Sequence, residues 1–223
     1  MYEDSREDIH REKLEYIMLS LLSNKIDVLI IGGGEAAFIK VKTFLDRGCN
    51  VKVIAKEVSK EIYSLKSDRL IISIGEFTES LLENYHIVVI AINDKLKVKE
   101  IKAFCDKSHK IYINSTNYKD GLGALPINIK SDEALIGINT FKGNPKALKV
   151  MSSEMSCKLK SFDEFIRITS IIRNNSKNFK DKKKEILDFI ICNEFKDVIE
   201  NGHCKLLLRL FYEEELVNKL FED

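Results

Sequence analysis

Three small residues, Gly32, Gly34 and Ala37, stand in the spacing G-x-G-x-x-A directly after the apolar run Val28-Leu29-Ile30-Ile31. The run suits a strand buried on both faces, and residues 38–47 read as a helix closed by Gly48. A strand, a glycine turn and a helix in that order gather backbone N–H groups at a helix N-terminus, where a pyrophosphate can sit. Gly32 allows the tight turn, Gly34 lets the backbone approach the phosphates, and Ala37 lets helix and strand pack closely. A second strand over 50–55 completes a βαβ unit. The same turn also occurs as a βα connection without a ligand, so it names a binding candidate and not a reaction. The second strand ends Ala55-Lys56-Glu57, without the usual acid that takes the adenine ribose hydroxyls. Glu57 can fill that role one or two residues late and Lys56 can tolerate a 2′-phosphate, which leaves NAD and NADP both open.

The elements that must hold this turn follow in regular alternation. Residues 70–74 read as a third strand, 87–92 as a fourth and 110–114 as a fifth. A short helix through Leu82 and an amphipathic helix over 95–106 lie between them, which predicts α/β with a Rossmann-like, mostly parallel sheet. The fourth strand ends at Asn93-Asp94, where such a sheet presents polar groups to a ligand at its carboxyl edge. After the polar loop 115–123 the pattern changes. Two strand-like runs, 124–129 and 134–138, flank a hairpin-like turn, and Asn144-Pro145 is a strong helix start. Helices are predicted over 145–159, 162–173, 180–192 and 206–220. Residues 4–22 carry an apolar stripe behind a charged start, readable as a helix or as a flexible arm. The organisation predicted is a helical arm (1–23), a dinucleotide-binding domain (24–117), a small β segment (118–160) and a helical C-terminal region (161–223).

Composition narrows the function classes. With 36 Lys and Arg against 35 Asp and Glu in 223 residues, no global field draws the chain to nucleic acid or to a membrane surface. Apolar runs fall short of the roughly 20 residues that cross a bilayer, and the charged N-terminus lacks the apolar core of a signal peptide. Five scattered cysteines without a C-x-x-C pair point to reduced thiols in a soluble, cytoplasmic protein. The four histidines share no metal-ligand spacing, so no protein-bound metal is expected. The lysine cluster at 180–184 reads as a solvated helix face.

Several stretches together resemble the siroheme-synthesis family of precorrin-2 dehydrogenases and sirohydrochlorin ferrochelatases. Residues 28–40, Val-Leu-Ile-Ile-Gly-Gly-Gly-Glu-Ala-Ala-Phe-Ile-Lys, are similar to that family's V-L-V-V-G-G-G-x-V-A-x-R-K; Lys40 is retained, and Ile39 replaces the arginine. Ala91-Ile92-Asn93-Asp94 is like A-A-T-[DN]-D, and Ile113-Asn114-Ser115-Thr116-Asn117 falls where the family has C-N-V-V-D. The stretch from Pro126 to Pro145 resembles P-[AS]-x6-L-x-[IV]-A-[IV]-S-[ST]-x-G-x-S-P, with Thr140 at a serine position and Gly143 one place late. The resemblance covers roughly residues 16–160.

The resemblance implies a Rossmann domain, a dimerisation segment and a helical C-terminal region in a homodimer. It implies NAD-dependent removal of hydride from precorrin-2 to give sirohydrochlorin, with ferrous iron as a further substrate in members that form siroheme. Carried over by position, Gly32, Gly34, Glu35 and Ala36 would contact the dinucleotide, Lys56 and Glu57 would flank its adenosine end, and Asn93 and Asp94 would lie near the nicotinamide. One departure bears on the chemistry. The family's acidic residue, credited with proton handling, falls at Asn117, and an amide is no general base near neutral pH. Asp120, on the same loop, would be a relocated carboxylate or simply a turn residue before Gly121. Thr140 would be a substrate contact or a strand-end hydroxyl. Two rival readings remain: a catalytically silent member that binds nucleotide or tetrapyrrole, and an unrelated Rossmann domain such as a potassium-channel regulatory module.

Overall fold

A computed structural model describes residues 15–141 and 143–222. The chain forms two compact units, one over Ile17–Leu125 and the other built from Pro126 onward.

The first unit is a parallel sheet of five strands: β1 (Asp27–Ile31), β2 (Asn50–Ala55), β3 (Leu70–Ile74), β4 (Ile87–Ile90) and β5 (Ile111–Asn114). Their spatial order is β3-β2-β1-β4-β5. In register, Ile31 lies beside Ile54 on one side and Ile90 on the other, so the carboxyl ends of the three central strands are level. Side chains of β1 alternate between two cores. Val28 and Ile30 pack with Ala37, Val41 and Phe44 of α1 (Glu35–Asp46). Leu29 and Ile31 pack on the other face with Val98, Ile101 and Cys105 of α3 (Lys95–Lys107). Burial on both faces explains why β1 and β4 read as unbroken apolar runs. The short α2 (Lys60–Tyr63) fills a stretch that reads as polar with few apolar residues, and it is held by the fully buried Ile62.

The second unit begins with an antiparallel pair, β6 (Ile127–Lys130) and β7 (Leu135–Ile138). Its turn is closed by Ser131, whose Oγ accepts from Ala134 N at 3.2 Å, while the Asp163 carboxylate accepts from Glu133 N at 3.2 Å. Asn144 caps α4 (Pro145–Lys160) by accepting from Ala147 N at 3.0 Å, with Pro145 in the first turn. Five helices follow: α5 (Asp163–Asn175), α6 (Lys183–Ile190), α7 (Asn193–Glu200), α8 (Cys204–Arg209) and α9 (Glu214–Leu220). They share one core that includes Ile172, Ile186, Ile190, Phe195, Leu208 and Leu220.

Four local expectations need correction. Helix α1 starts at Glu35, three residues before the predicted start, because Gly34 already serves as its N-cap. The helix predicted over 206–220 is two helices, broken where Tyr212 turns into the core between Leu208 and Leu216. The helix predicted over 180–192 shortens to α6, and α7 has no counterpart among the predicted helices. Of the arm predicted as helical, residues 4–14 lie outside the described residues. Residues 15–22 form no helix; Ile17, Leu19 and Leu22 are exposed and so supply no buried face to hold one.

Candidate dinucleotide site

The glycine turn leaves β1 at the place where strand order reverses, between β2 and β4, and opens onto the carboxyl edge of the sheet. Gly32 has φ of 122°, in the region that favours glycine, and its N–H donates to Ile54 O at 2.9 Å. A Cβ on Gly32 would stand 2.3 Å from the Ala91 carbonyl oxygen. A Cβ on Gly33 would stand 2.1 Å from the Glu57 carbonyl oxygen, and Gly33 O accepts from Ser59 N at 2.8 Å. These two glycines therefore answer to neighbouring backbone. Gly34 does not: a Cβ there would meet nothing within 4 Å.

That opening lies at the N-terminus of α1. Gly34 brings no side chain to the cap, and the first intrahelical bond runs from Phe38 N to Gly34 O at 2.9 Å. The N–H groups of Glu35, Ala36 and Ala37 precede it, so they have no acceptor within the helix. Glu35 and Ala36 are exposed, and Ala37 is fully buried against the strand. Uncapped donors, a positive helix end and free space fit the pyrophosphate of a dinucleotide. Lys40, further along α1, is lowered in pKa by burial first and by the Arg47 charge second.

Beside this turn, Lys56 follows β2 and Glu76 follows β3 through Gly75, whose N–H donates to Ala55 O at 2.9 Å. Lys56 Nζ lies 2.6 Å from Glu76 Oε1, and Lys97 Nζ lies 3.2 Å from Glu76 Oε2. Hydrogen bonds from Lys56 and then Lys97 hold the Glu76 carboxyl below its ordinary range, and Glu76 raises Lys56. Glu57 and Asn93 are exposed. Asp94 serves its own helix, since its Oδ1 accepts from Leu96 N at 3.0 Å and Lys97 N at 3.1 Å and so caps α3.

At the end of β5 the buried Asn114 organises the next loop. Its Oδ1 accepts from Thr116 N at 3.0 Å, Thr116 Oγ1 at 2.8 Å and Asn117 N at 3.3 Å. Its Nδ2 donates to Asp120 Oδ2 at 3.3 Å, and the other Asp120 oxygen pairs with Lys102 of α3. Asp120 is thus engaged by two partners, and Asn117 is exposed on the same loop. Sequence reasoning misses Lys102, Glu76 and the anchoring role of Asn114. An amide closing the apolar strand Ile111–Asn114 is the one available signal, since a polar group buried there must find partners. Thr140 belongs to the second unit, where its Oγ1 accepts from Asn144 N at 2.7 Å ahead of α4. Among the described residues no group of three or more His, Cys, Asp or Glu side chains could hold a metal, and no helix is long and apolar enough to cross a membrane.

Sheet order, glycine turn and open helix end define a dinucleotide-binding α/β protein of the Rossmann type. Residues 19–121 match the family NAD_binding_7, described as "Putative NAD(P)-binding". A precorrin-2 dehydrogenase of Priestia megaterium is 24% identical over 185 residues, spanning 81% of this chain and 90% of that protein. A siroheme synthase of Blochmanniella floridana is 25% identical over 199 residues, but those cover 42% of its length. Among solved structures, SirC, a precorrin-2 dehydrogenase, shares the fold with a TM-score of 0.62 at 22% identity, covering 92% of this chain and 98% of that one. Along most of its length the chain is thus similar to precorrin-2 dehydrogenases and siroheme synthases, and it shares the SirC fold.

Proposed function

We propose that this protein is an NAD-dependent precorrin-2 dehydrogenase that forms sirohydrochlorin. The observation that carries the reading is the open Gly34 position at the uncapped end of α1, set at the switch point of the sheet. The N–H groups of Glu35, Ala36 and Ala37 would hold the pyrophosphate, Lys56 and Glu57 would flank the adenosine end, and Asn93 with the Asp94 backbone would border the nicotinamide side. Nicotinamide, when bound, supplies the hydride acceptor. The oxidation also releases a proton, which Asn117 is not able to take up. In this reading the exposed loop leaves that proton to water, and the protein contributes binding and orientation. The proposal includes a homodimer, and ferrous iron enters it as a substrate for sirohydrochlorin, whose own nitrogens would ligate the metal.

A second reading, a silent member that binds nucleotide or tetrapyrrole, is favoured by one observation. Asn117 is an amide, and the nearest carboxylate on its loop, Asp120, is committed to Lys102 and Asn114. An anaerobic assay with enzymatically prepared precorrin-2 and NAD, followed by sirohydrochlorin absorbance, separates the two. Turnover by the parent protein supports the dehydrogenase. A parent that binds NAD without turnover, and gains it in Asn117→Asp, supports the silent member. Adding ferrous iron after dehydrogenation reads chelation, and mass in solution reads the dimer.

A further inference from the structure

The pair of lysines beside the glycine turn is already occupied by an anion. Lys56 and Lys97 come from different elements, the end of β2 and the first turn of α3, and both converge on one carboxylate, Glu76. The backbone holds this arrangement: Ala55 pairs with Ile74 in register, and Gly75 N donates to Ala55 O at 2.9 Å, which sets Glu76 next to Lys56. The close approach of the Glu57 carbonyl to Gly33 sets the Lys56-Glu57 step against the turn itself. In a fold of this kind the end of β2 receives the adenine ribose, the part that bears a 2′-phosphate in NADP and a hydroxyl in NAD.

We infer that Glu76 sets the dinucleotide preference, its carboxylate standing between Lys56 and Lys97 where a 2′-phosphate would otherwise be received. The inference rests on the dinucleotide reading of the site. With Glu76 in place both lysines are paired to its carboxylate and the Asp94 charge also acts on Lys56, so a phosphate meets like charge and finds both ammonium groups engaged. A ribose hydroxyl meets no such opposition. Solvent reaches Lys56 and Glu76, at 67% and 58% side-chain exposure, so the pair contributes little to stability and Glu76→Gln should fold.

The test is titration of the full-length protein with NADH and with NADPH, read by cofactor fluorescence, for the parent, Glu76→Gln and Glu76→Gln/Lys56→Gln. The parent is expected to prefer NADH. In Glu76→Gln the NADPH-to-NADH affinity ratio should rise about tenfold or more, the effect of one additional charge-assisted hydrogen bond. The double variant should lose most of that gain, and added salt should shrink it. A parent that prefers NADPH, or a ratio unmoved by Glu76→Gln, overturns the inference while NADH binding leaves the site reading standing. Folded protein that binds neither dinucleotide overturns both.

Discussion

Gly33 and Gly34 are adjacent and chemically identical, yet they serve different neighbours. A methyl at Gly33 would stand 2.1 Å from a carbonyl oxygen that belongs to backbone, so Gly33→Ala forces the loop after β2 to move. The expected loss is roughly 1–3 kcal/mol, by analogy with overpacked cores. For a chain of this size that corresponds to a melting temperature lower by about 2–12 °C, checked by thermal denaturation. Gly34→Ala should cost no more than about 1 kcal/mol, the difference between glycine and alanine at a cap. Its methyl nevertheless projects into the space assigned to the pyrophosphate, so NADH affinity should fall about tenfold or more while the fold persists. Equal effects of both variants on stability and binding would remove the case for an open phosphate position. The G-x-G-x-x-A spacing was legible from the sequence because it is local. That the middle glycine answers to Glu57, 24 positions on, was not, since only the packing of one loop on another creates that demand.

Helix α3 tests whether a carboxylate beside the site acts on a ligand or on its own backbone. Asp94 caps α3 with two backbone contacts, so Asp94→Ala should cost about 1 kcal/mol and Asp94→Asn much less, measured by denaturant unfolding. If Asp94→Asn keeps stability and NADH affinity together, the residue is a cap and not a ligand contact. The same helix supplies Lys102, which holds Asp120, and Asp120→Asn should therefore loosen loop 115–121 by a fraction of a kcal/mol, up to about 1, because the pair is partly exposed. Increased amide exchange at 116–121 is the measurement. Strands β2 and β3 matched their predicted bounds: β2 buries Val51, Val53, Ile54 and Ala55, and β3, an edge strand with Ile71 and Ile74 exposed, is marked by its cluster of β-branched residues. The C-terminal helices matched less well. Their breaks depend on which side of each helix faces the shared core, as at Tyr212, and a composition pattern of period 3.6 runs across such breaks without registering them.

Both units of the chain contain a phenol shielded from water. Burial first, then nearby acids, pushes Tyr112 in the first unit and Tyr212 in the second up to about 12, and burial pushes the Cys105 thiol up to about 12. Raised values of this sign favour the protonated form in the folded state. Their contribution is whole below the unfolded values, near 9 for the thiol and 10 for the phenols, and is lost as pH rises towards 12. Melting temperature should therefore decline from about pH 9 upward, and absorbance near 295 nm should show two tyrosines ionising only with unfolding. Thiol labelling at pH 8 should spare the buried Cys49 and Cys105 and modify the exposed Cys157.

Neighbouring residues along the chain were enough to specify the alternating strands and helices, the glycine turn and the capped start of α4, since each depends on side chains within a few positions. The order β3-β2-β1-β4-β5 had to come from the fold, because strand order is set by how crossover helices pack and not by the strands' own patterns. So did the meeting of Glu76 with Lys56 and Lys97, and of Asp120 with Lys102 and Asn114. Those charges lie on separate elements, and only the register of the sheet and the docking of α3 bring them within bonding distance.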